Sequence, residues 1–307
     1  MGKVICFYNR KGGVGKTTLS GNFAASLAKE LRKSDGKVLY LDLDPQLNGT
    51  TTYLGYAKEE VTKDPSDYPN ILNLVGVNAE SLGVEIPKKP VKSLIQKAPN
   101  FGLFTIAGNN KMELYWRKDP LLTDDYSAFM EPFEELRTLF EYIVIDLPPA
   151  QDDMTYAAIT ASDYIIIPVN SDTASISNFP EFFGETMDTF KSVNPNLRVL
   201  GIVDNLYDRF KISYYDTTLK DEAKRRGAYL YKTKISRSSG LEDPNNADPK
   251  NKKSLRLRAG GNRCVIFFDK FIQSNYPKAF EDVQAFTTET LDRIKKIEKE
   301  KGGKING

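Results

Sequence analysis

Two segments constrain the fold most: Tyr142-Ile-Val-Ile-Asp146 and Tyr164-Ile-Ile-Ile-Pro168 are almost unbroken runs of apolar and β-branched residues. A strand with one wet face alternates polar and apolar residues, so an unbroken run marks a strand covered on both faces. Short apolar runs recur at Val4 to Tyr8, Val38 to Asp42, Leu103 to Ile106, Val199 to Val203 and Val265 to Phe268. Helix-period patterns lie between and after them, at about Lys16 to Arg32, Asp124 to Glu141, Asp152 to Ala161, Asn178 to Ser192, Ser213 to Arg226 and Ala279 to Glu298. This alternation predicts an α/β fold, a mainly parallel twisted sheet with helices on both faces. With 307 residues, 40% of them hydrophobic, the chain is long enough for one large core or two medium ones.

Two stretches break the rhythm. Tyr56 to Asn100 carries Pro65, Pro69, Pro87, Pro90 and Pro99, and an irregular surface excursion is expected there. Glu242 to Arg263 combines prolines, asparagines and Gly260-Gly261 with basic residues, the composition of a loop. One domain over residues 1–298 is expected, with an insertion at about 56–100, a basic loop at about 242–263 and a polar tail over 299–307.

Histidine is absent, which removes every mechanism built on an imidazole base or a histidine-held metal. Cys6 and Cys264 are too far apart in sequence for a local metal knuckle, and two cysteines fit a reducing compartment. The apolar start is too short for a signal peptide, and no run approaches the length that spans a bilayer. A soluble cytoplasmic protein is expected.

The segment Asn9-Arg-Lys-Gly-Gly-Val-Gly-Lys-Thr-Thr18 lies where the first strand ends and the first helix begins. Gly12, Gly13 and Gly15 let successive backbone N–H groups, with those of Val14 and Thr18, curl round phosphate oxygens. The helix beginning at Lys16 points its positive end at the same place. In this pattern Lys16 reaches the β and γ phosphates and the Thr17 hydroxyl coordinates Mg²⁺. The strict spacing G-x-x-x-x-G-K-[ST] is broken, because its first glycine falls on Arg10, and a second lysine stands at Lys11.

Lys11-Gly-Gly-Val-Gly-Lys-Thr-Thr18 resembles the deviant Walker A motif of the ParA/MinD family of P-loop ATPases, distinguished by that extra lysine. Val38-Leu-Tyr-Leu-Asp-Leu-Asp-Pro-Gln46 is similar to the Asp-x-Asp-Pro-Gln segment of the ParA branch, and Tyr142-Ile-Val-Ile-Asp-Leu-Pro-Pro149 to the Walker B and switch II segment. Fainter echoes are Ile166 to Val169, Gly201 to Asp208 and Ile235 to Ser239, in the family's order. The resemblance implies a single P-loop domain, ATP and Mg²⁺ as ligands, and ATP hydrolysis. It further implies an ATP-dependent homodimer that binds non-specific DNA, works with a ParB-like centromere-binding protein and segregates a plasmid or chromosome on the nucleoid.

Asp42, Asp44 and Asp146 each fall at or just past the end of a predicted buried strand, the edge where ligands bind in an open α/β sheet. Asp146 is the natural partner of a Mg²⁺-bound water, and Asp42 is a candidate to share that task. Asp44 is the better placed to orient an attacking water, the role the resemblance gives it. Lys11 precedes the glycines and is badly placed for its own subunit's phosphates; the resemblance implies that it reaches a partner subunit's nucleotide. The resemblance also places Asn205 and Ser236 in the two regions that contact adenine.

Thirteen basic residues against five acidic ones lie between Lys220 and Arg263, a surplus of eight in a chain of formal net charge +2. Arg237, Lys250, Lys252, Lys253, Arg256, Arg258 and Arg263 are the candidate DNA contacts, to phosphates and without sequence reading. Other occupants of this fold class stay open: a MinD-like positioning ATPase at a membrane or on another cargo, an iron–sulfur reductase and a metabolic ligase. The first needs a C-terminal amphipathic helix, yet between Lys295 and Gly307 the apolar residues are Ile297 and Ile305 alone. The second needs two cluster cysteines near a dimer axis, and Cys6 falls inside the first strand. The third is disfavoured by Asp44-Pro-Gln46 through the resemblance. Since the sequence opens almost at its first strand, no N-terminal helix-turn-helix domain is expected, and Arg10 matches nothing in the family pattern.

Overall fold

The computed structural model describes residues 1–53, 68–98, 102–116, 126–170, 182–207, 212–238 and 276–305. The first part runs β1 (Lys3–Phe7), α1 (Lys16–Leu31), β2 (Val38–Asp42), α2 (Asn48–Tyr53), α3 (Leu72–Val75), β3 (Val77–Ala79), β4 (Val84–Ile86), α4 (Val91–Leu94), β5 (Gln96–Lys97), β6 (Phe104–Ile106) and α5 (Met112–Trp116). The second runs α6 (Ser127–Leu139), β7 (Tyr142–Asp146), α7 (Asp153–Thr160), β8 (Tyr164–Asn170), α8 (Met187–Val193), β9 (Arg198–Tyr207), α9 (Ile212–Arg225), β10 (Ile235–Ser236) and α10 (Pro277–Ile305).

Eight strands form one sheet in the order β10-β9-β8-β1-β7-β2-β6-β5. All neighbours are parallel except β5 on β6, which closes one edge antiparallel. The chain leaves β1 toward β2 on one side, and after β7 it crosses to β8 on the other. The crevice at the carboxyl ends of β1, β7 and β8 is therefore the place where such a sheet takes its ligand.

The unbroken apolar strands are covered on both faces, as their composition requires. One face of the sheet presents Val4, Cys6, Leu41, Ile145 and Ile167 to α6, α7 and α8. The other presents Ile5, Phe7, Tyr40, Val144 and Ile166 to α1 and α10. There Phe23 of α1 sits between Phe7 and Phe286 at ring-centroid distances of 5.5 and 5.6 Å. Burial pushes the Cys6 thiol up to about 12, the setting of an inert core residue.

Residues 68–98 depart from the expected surface excursion. They form short helices and the antiparallel hairpin β3–β4, and Leu72, Leu74, Ile86 and Leu94 are fully or almost fully buried against the α6 side of the core. Their apolar residues are spread too thinly among prolines and asparagines to show a period. Strand β9 reaches Tyr207, beyond the expected Val203, because β8 and β10 pair with it on both sides. Helix α10 continues to Ile305, through most of the segment expected as a polar tail over 299–307. The expected strand Val265 to Phe268 lies outside the described residues.

Candidate active site

Strand β1 ends at Phe7 and α1 begins at Lys16, so residues 8–15 form the connecting loop. Gly13 and Gly15 both have φ near +75°, where a Cβ is strained, and a Cβ on Gly15 would also stand 2.6 Å from Asn205 Nδ2. Val14 turns its side chain into the interior, fully buried. Its carbonyl accepts from Asn205 Nδ2 at 2.7 Å, and the Gly15 carbonyl accepts from the same nitrogen at 3.3 Å. At the other end of the loop Asn9 accepts from the Lys11 N–H at 2.9 Å and donates from Nδ2 to the Pro168 carbonyl at 2.7 Å. Both ends of the loop are thus pinned to strands on the β8 side of the sheet.

Lys16 is only 7% exposed, and its ammonium donates to the Lys11 carbonyl at 3.5 Å. Burial lowers its pKa, and Asp146 and Asp44 pull it back up. Asp42 and Asp146 are register partners at the ends of β2 and β7. Asp42 is anchored by backbone donors: Thr50 N–H at 2.6 Å on Oδ2 and Asp44 N–H at 3.2 Å on Oδ1. Burial still carries its pKa up to about 7.

Asp146 differs. Both of its carboxylate oxygens are buried, and neither has a hydrogen bond of good geometry, although the Thr17 hydroxyl faces the carboxylate. Burial and then Asp42 raise its pKa well above the carboxylate range, against the opposing influence of Thr17 and Lys16. A buried carboxylate so poorly supplied with donors is costly unless a cation or a proton meets it. Asp44 is half-buried in a turn, accepting the Gln46 N–H at 2.9 Å on its side chain.

The structure brings Lys16, Thr17, Asp42, Asp44 and Asp146 near one another at the carboxyl ends of β2 and β7, beside the loop that holds Gly12 to Gly15. Asn205, two residues before the end of β9, and Ser236, at the end of β10, lie on adjacent strands. Asn205 spends its amide on the loop, and the Ser236 N–H donates to Asp282 Oδ2 of α10 at 3.0 Å. Arg237 is exposed just past β10. Lys250, Lys252, Lys253, Arg256, Arg258 and Arg263 lie outside the described residues. Asn9 and Thr50 were missed. The pattern Asn-x-Lys, an asparagine two residues before the amide it captures, is the signal that would have marked Asn9.

The family model described as AAA domain matches residues 2–199. The sporulation initiation inhibitor protein Soj of Bacillus subtilis is 29% identical over 257 residues, 81% of this chain and 90% of its own. A ParA family protein of Mycoplasma pneumoniae is 31% identical over 202 residues, 64% of this chain and 68% of its own. Among solved structures, the complex of Cyanothece McdA with ATP superposes with a TM-score of 0.67 at 19% identity, covering 95% of this chain and 96% of that one. At that identity the likeness speaks for the fold.

Proposed function

The chain belongs to the ParA/MinD family, and from that premise we propose that it is a Mg²⁺-dependent partition ATPase. In this reading it dimerises on ATP, binds DNA without sequence preference and segregates a plasmid or chromosome with a ParB-like partner. The observation that carries the reading is the orphaned Asp146 carboxylate beside the buried Lys16, below a glycine loop that opens a helix.

An all-oxygen set of the Thr17 hydroxyl and the Asp146 and Asp42 carboxylates fits a hard divalent cation. A bound Mg²⁺ supplies charge neutralisation at the phosphates. The loop N–H groups and Lys16 bind the phosphates, and the dipole of the sixteen-residue α1 reinforces them. Thr17 and Asp146 are the chain's own metal-holding groups. Asp42 serves more through Thr50 and Asp44, whose backbone it fixes. Asp44, free of the deep burial of its two neighbours, orients the attacking water. Lys11, its backbone held by Asn9, is the residue for a partner subunit's phosphates.

The MinD-like alternative wants an amphipathic helix that leaves the fold for a lipid surface. The apolar face of α10 is already used: Val283, Phe286, Ile294 and Ile297 pack in the α1 side of the core. Among the described residues no helix is long and apolar enough to cross a membrane. Calorimetry of ATP with Mg²⁺ against the parent and Lys16→Ala tests the reading: the parent binds and the variant does not, whereas equal affinities would remove the loop from the nucleotide site.

A further inference from the structure

Arg10 stands where the strict phosphate-loop spacing has glycine, and the site described above does not use it. It is exposed, two residues beyond Tyr8, which is fully buried. The Tyr8 hydroxyl donates to the Ala150 carbonyl at 3.2 Å. Ala150 belongs to the segment 147–152 that leads from Asp146 into α7. The same tyrosine ring stacks edge-on against Phe190 of α8 at 4.9 Å, so its position is fixed from behind.

Two residues past Ala150, Asp152 caps α7. Its Oδ1 accepts the Thr155 N–H at 2.9 Å. Its Oδ2 is inaccessible to solvent and has no hydrogen-bond partner, in a residue only 7% exposed. Burial raises the pKa of the Tyr8 hydroxyl; of the charges that bear on it, Arg10 lowers it and Tyr156 and Asp152 raise it. The neighbouring Asp153 already accepts from the Tyr126 hydroxyl at 3.3 Å. An arginine carries five donors on a long side chain, and an exposed one reorients at little cost, while an unmet buried carboxylate oxygen is expensive.

We propose that Arg10 folds over Tyr8 and pairs with Asp152 Oδ2, fastening the phosphate loop to the segment that follows Asp146. Arg10 is then a positioning residue. It touches no phosphate but fixes the loop relative to the chain that carries the metal-holding aspartate. The effect on turnover rests on the ATPase reading; the pair itself does not.

A double-mutant cycle separates the two. Arg10→Ala, Asp152→Asn and the double variant are unfolded in urea without nucleotide. Asparagine caps a helix as well as aspartate does, so Asp152→Asn removes the charge and keeps the cap. The expected result is a coupling of about three- to tenfold in the unfolding equilibrium constant, with Arg10→Lys recovering part of it. Additive effects, within about twofold, overturn the pair. With Mg²⁺ and ATP, either single variant should lower turnover about tenfold at unchanged ATP affinity. A loss of affinity at unchanged turnover overturns the positioning role. A parent that binds no ATP overturns the ATPase reading and leaves the unfolding result to judge the pair.

Discussion

Asn205 Nδ2 donates to the Val14 carbonyl at 2.7 Å, so the end of β9 holds a loop 191 residues earlier in the chain. The bond sits at the turn into α1, where Gly15 adopts a left-handed conformation. Asn205→Ala should take the side-chain donor from the Val14 carbonyl, while the Gly15 carbonyl keeps the Leu19 N–H at 2.9 Å, costing about 1–3 kcal/mol and weakening ATP binding. Asn205→Asp should be worse than alanine, because a carboxylate would face those carbonyls. Chemical denaturation and nucleotide titration of both variants check the order; an aspartate variant as stable as the parent would refute the role.

Asp146→Asn should separate stability from chemistry. Replacing a carboxyl whose charged form burial and Asp42 disfavour should stabilise the metal-free protein by about 1–3 kcal/mol. Mg²⁺-dependent turnover should be lost in the same variant. Melting with a chelator present, beside a phosphate-release assay, reads both; a destabilised metal-free variant would show that Asp146 has a partner in solution.

Asp44→Ala should keep ATP binding and lose hydrolysis, since water orientation is what it removes, and the trapped nucleotide should hold the dimer. Lys11→Ala should instead bind ATP as a monomer. Size-exclusion chromatography with ATP distinguishes the two, and a dimeric Lys11→Ala would end the cross-subunit assignment.

If two copies of the basic segment share one face of the dimer, about four to eight phosphates are neutralised. The log–log salt dependence of DNA affinity then has a slope of roughly −4 to −7, the same for random duplexes. Lys252, Arg256 and Arg258 replaced together by alanine should weaken DNA binding and spare ATP-driven dimerisation. ATP-dependent pelleting with anionic liposomes, without DNA binding, would favour the MinD-like reading instead.

Glu289 of α10 accepts from the Tyr229 hydroxyl at 2.6 Å, the Lys232 N–H at 2.8 Å, and the Thr233 N–H and hydroxyl at 3.0 and 2.7 Å. Burial raises its pKa, and these four donors more than offset that, so it lies below the usual carboxylate range. Its contribution is therefore full above the unfolded pKa and is lost as pH falls through the lowered folded one. Glu289→Gln should cost about 1–2 kcal/mol at pH 7, after screening of a half-exposed group. The difference from the parent should shrink toward zero in acid, as urea melts at several pH values would show.

The sheet and the strand-end aspartates were legible because both depend on local pattern. An unbroken run such as Tyr164-Ile-Ile-Ile-Pro168 has one sensible burial, and a Gly-Gly-Val-Gly turn before Lys16 has few conformations. What escaped depends on partners distant in sequence. Nothing near Thr50 announces that its N–H meets Asp42, and nothing near Ser236 points to Asp282. The segment at residues 68–98 was misjudged because pieces of two to four residues are too short for any period to register.

Strand β1 precedes the other described strands in the chain and lies inside the sheet, with Lys3 opposite Tyr142 and Ile5 opposite Tyr164. That strand therefore stays unpaired until β7, well over a hundred residues later in the chain, has been made. Such long-range parallel pairing is slow, and the waiting strand is an open edge for aggregation or for a chaperone. The phosphate loop, strung between β1 and α1, cannot take its working shape before β8 and β9 arrive. Nucleotide capture thereby becomes a late event in the life of each new molecule.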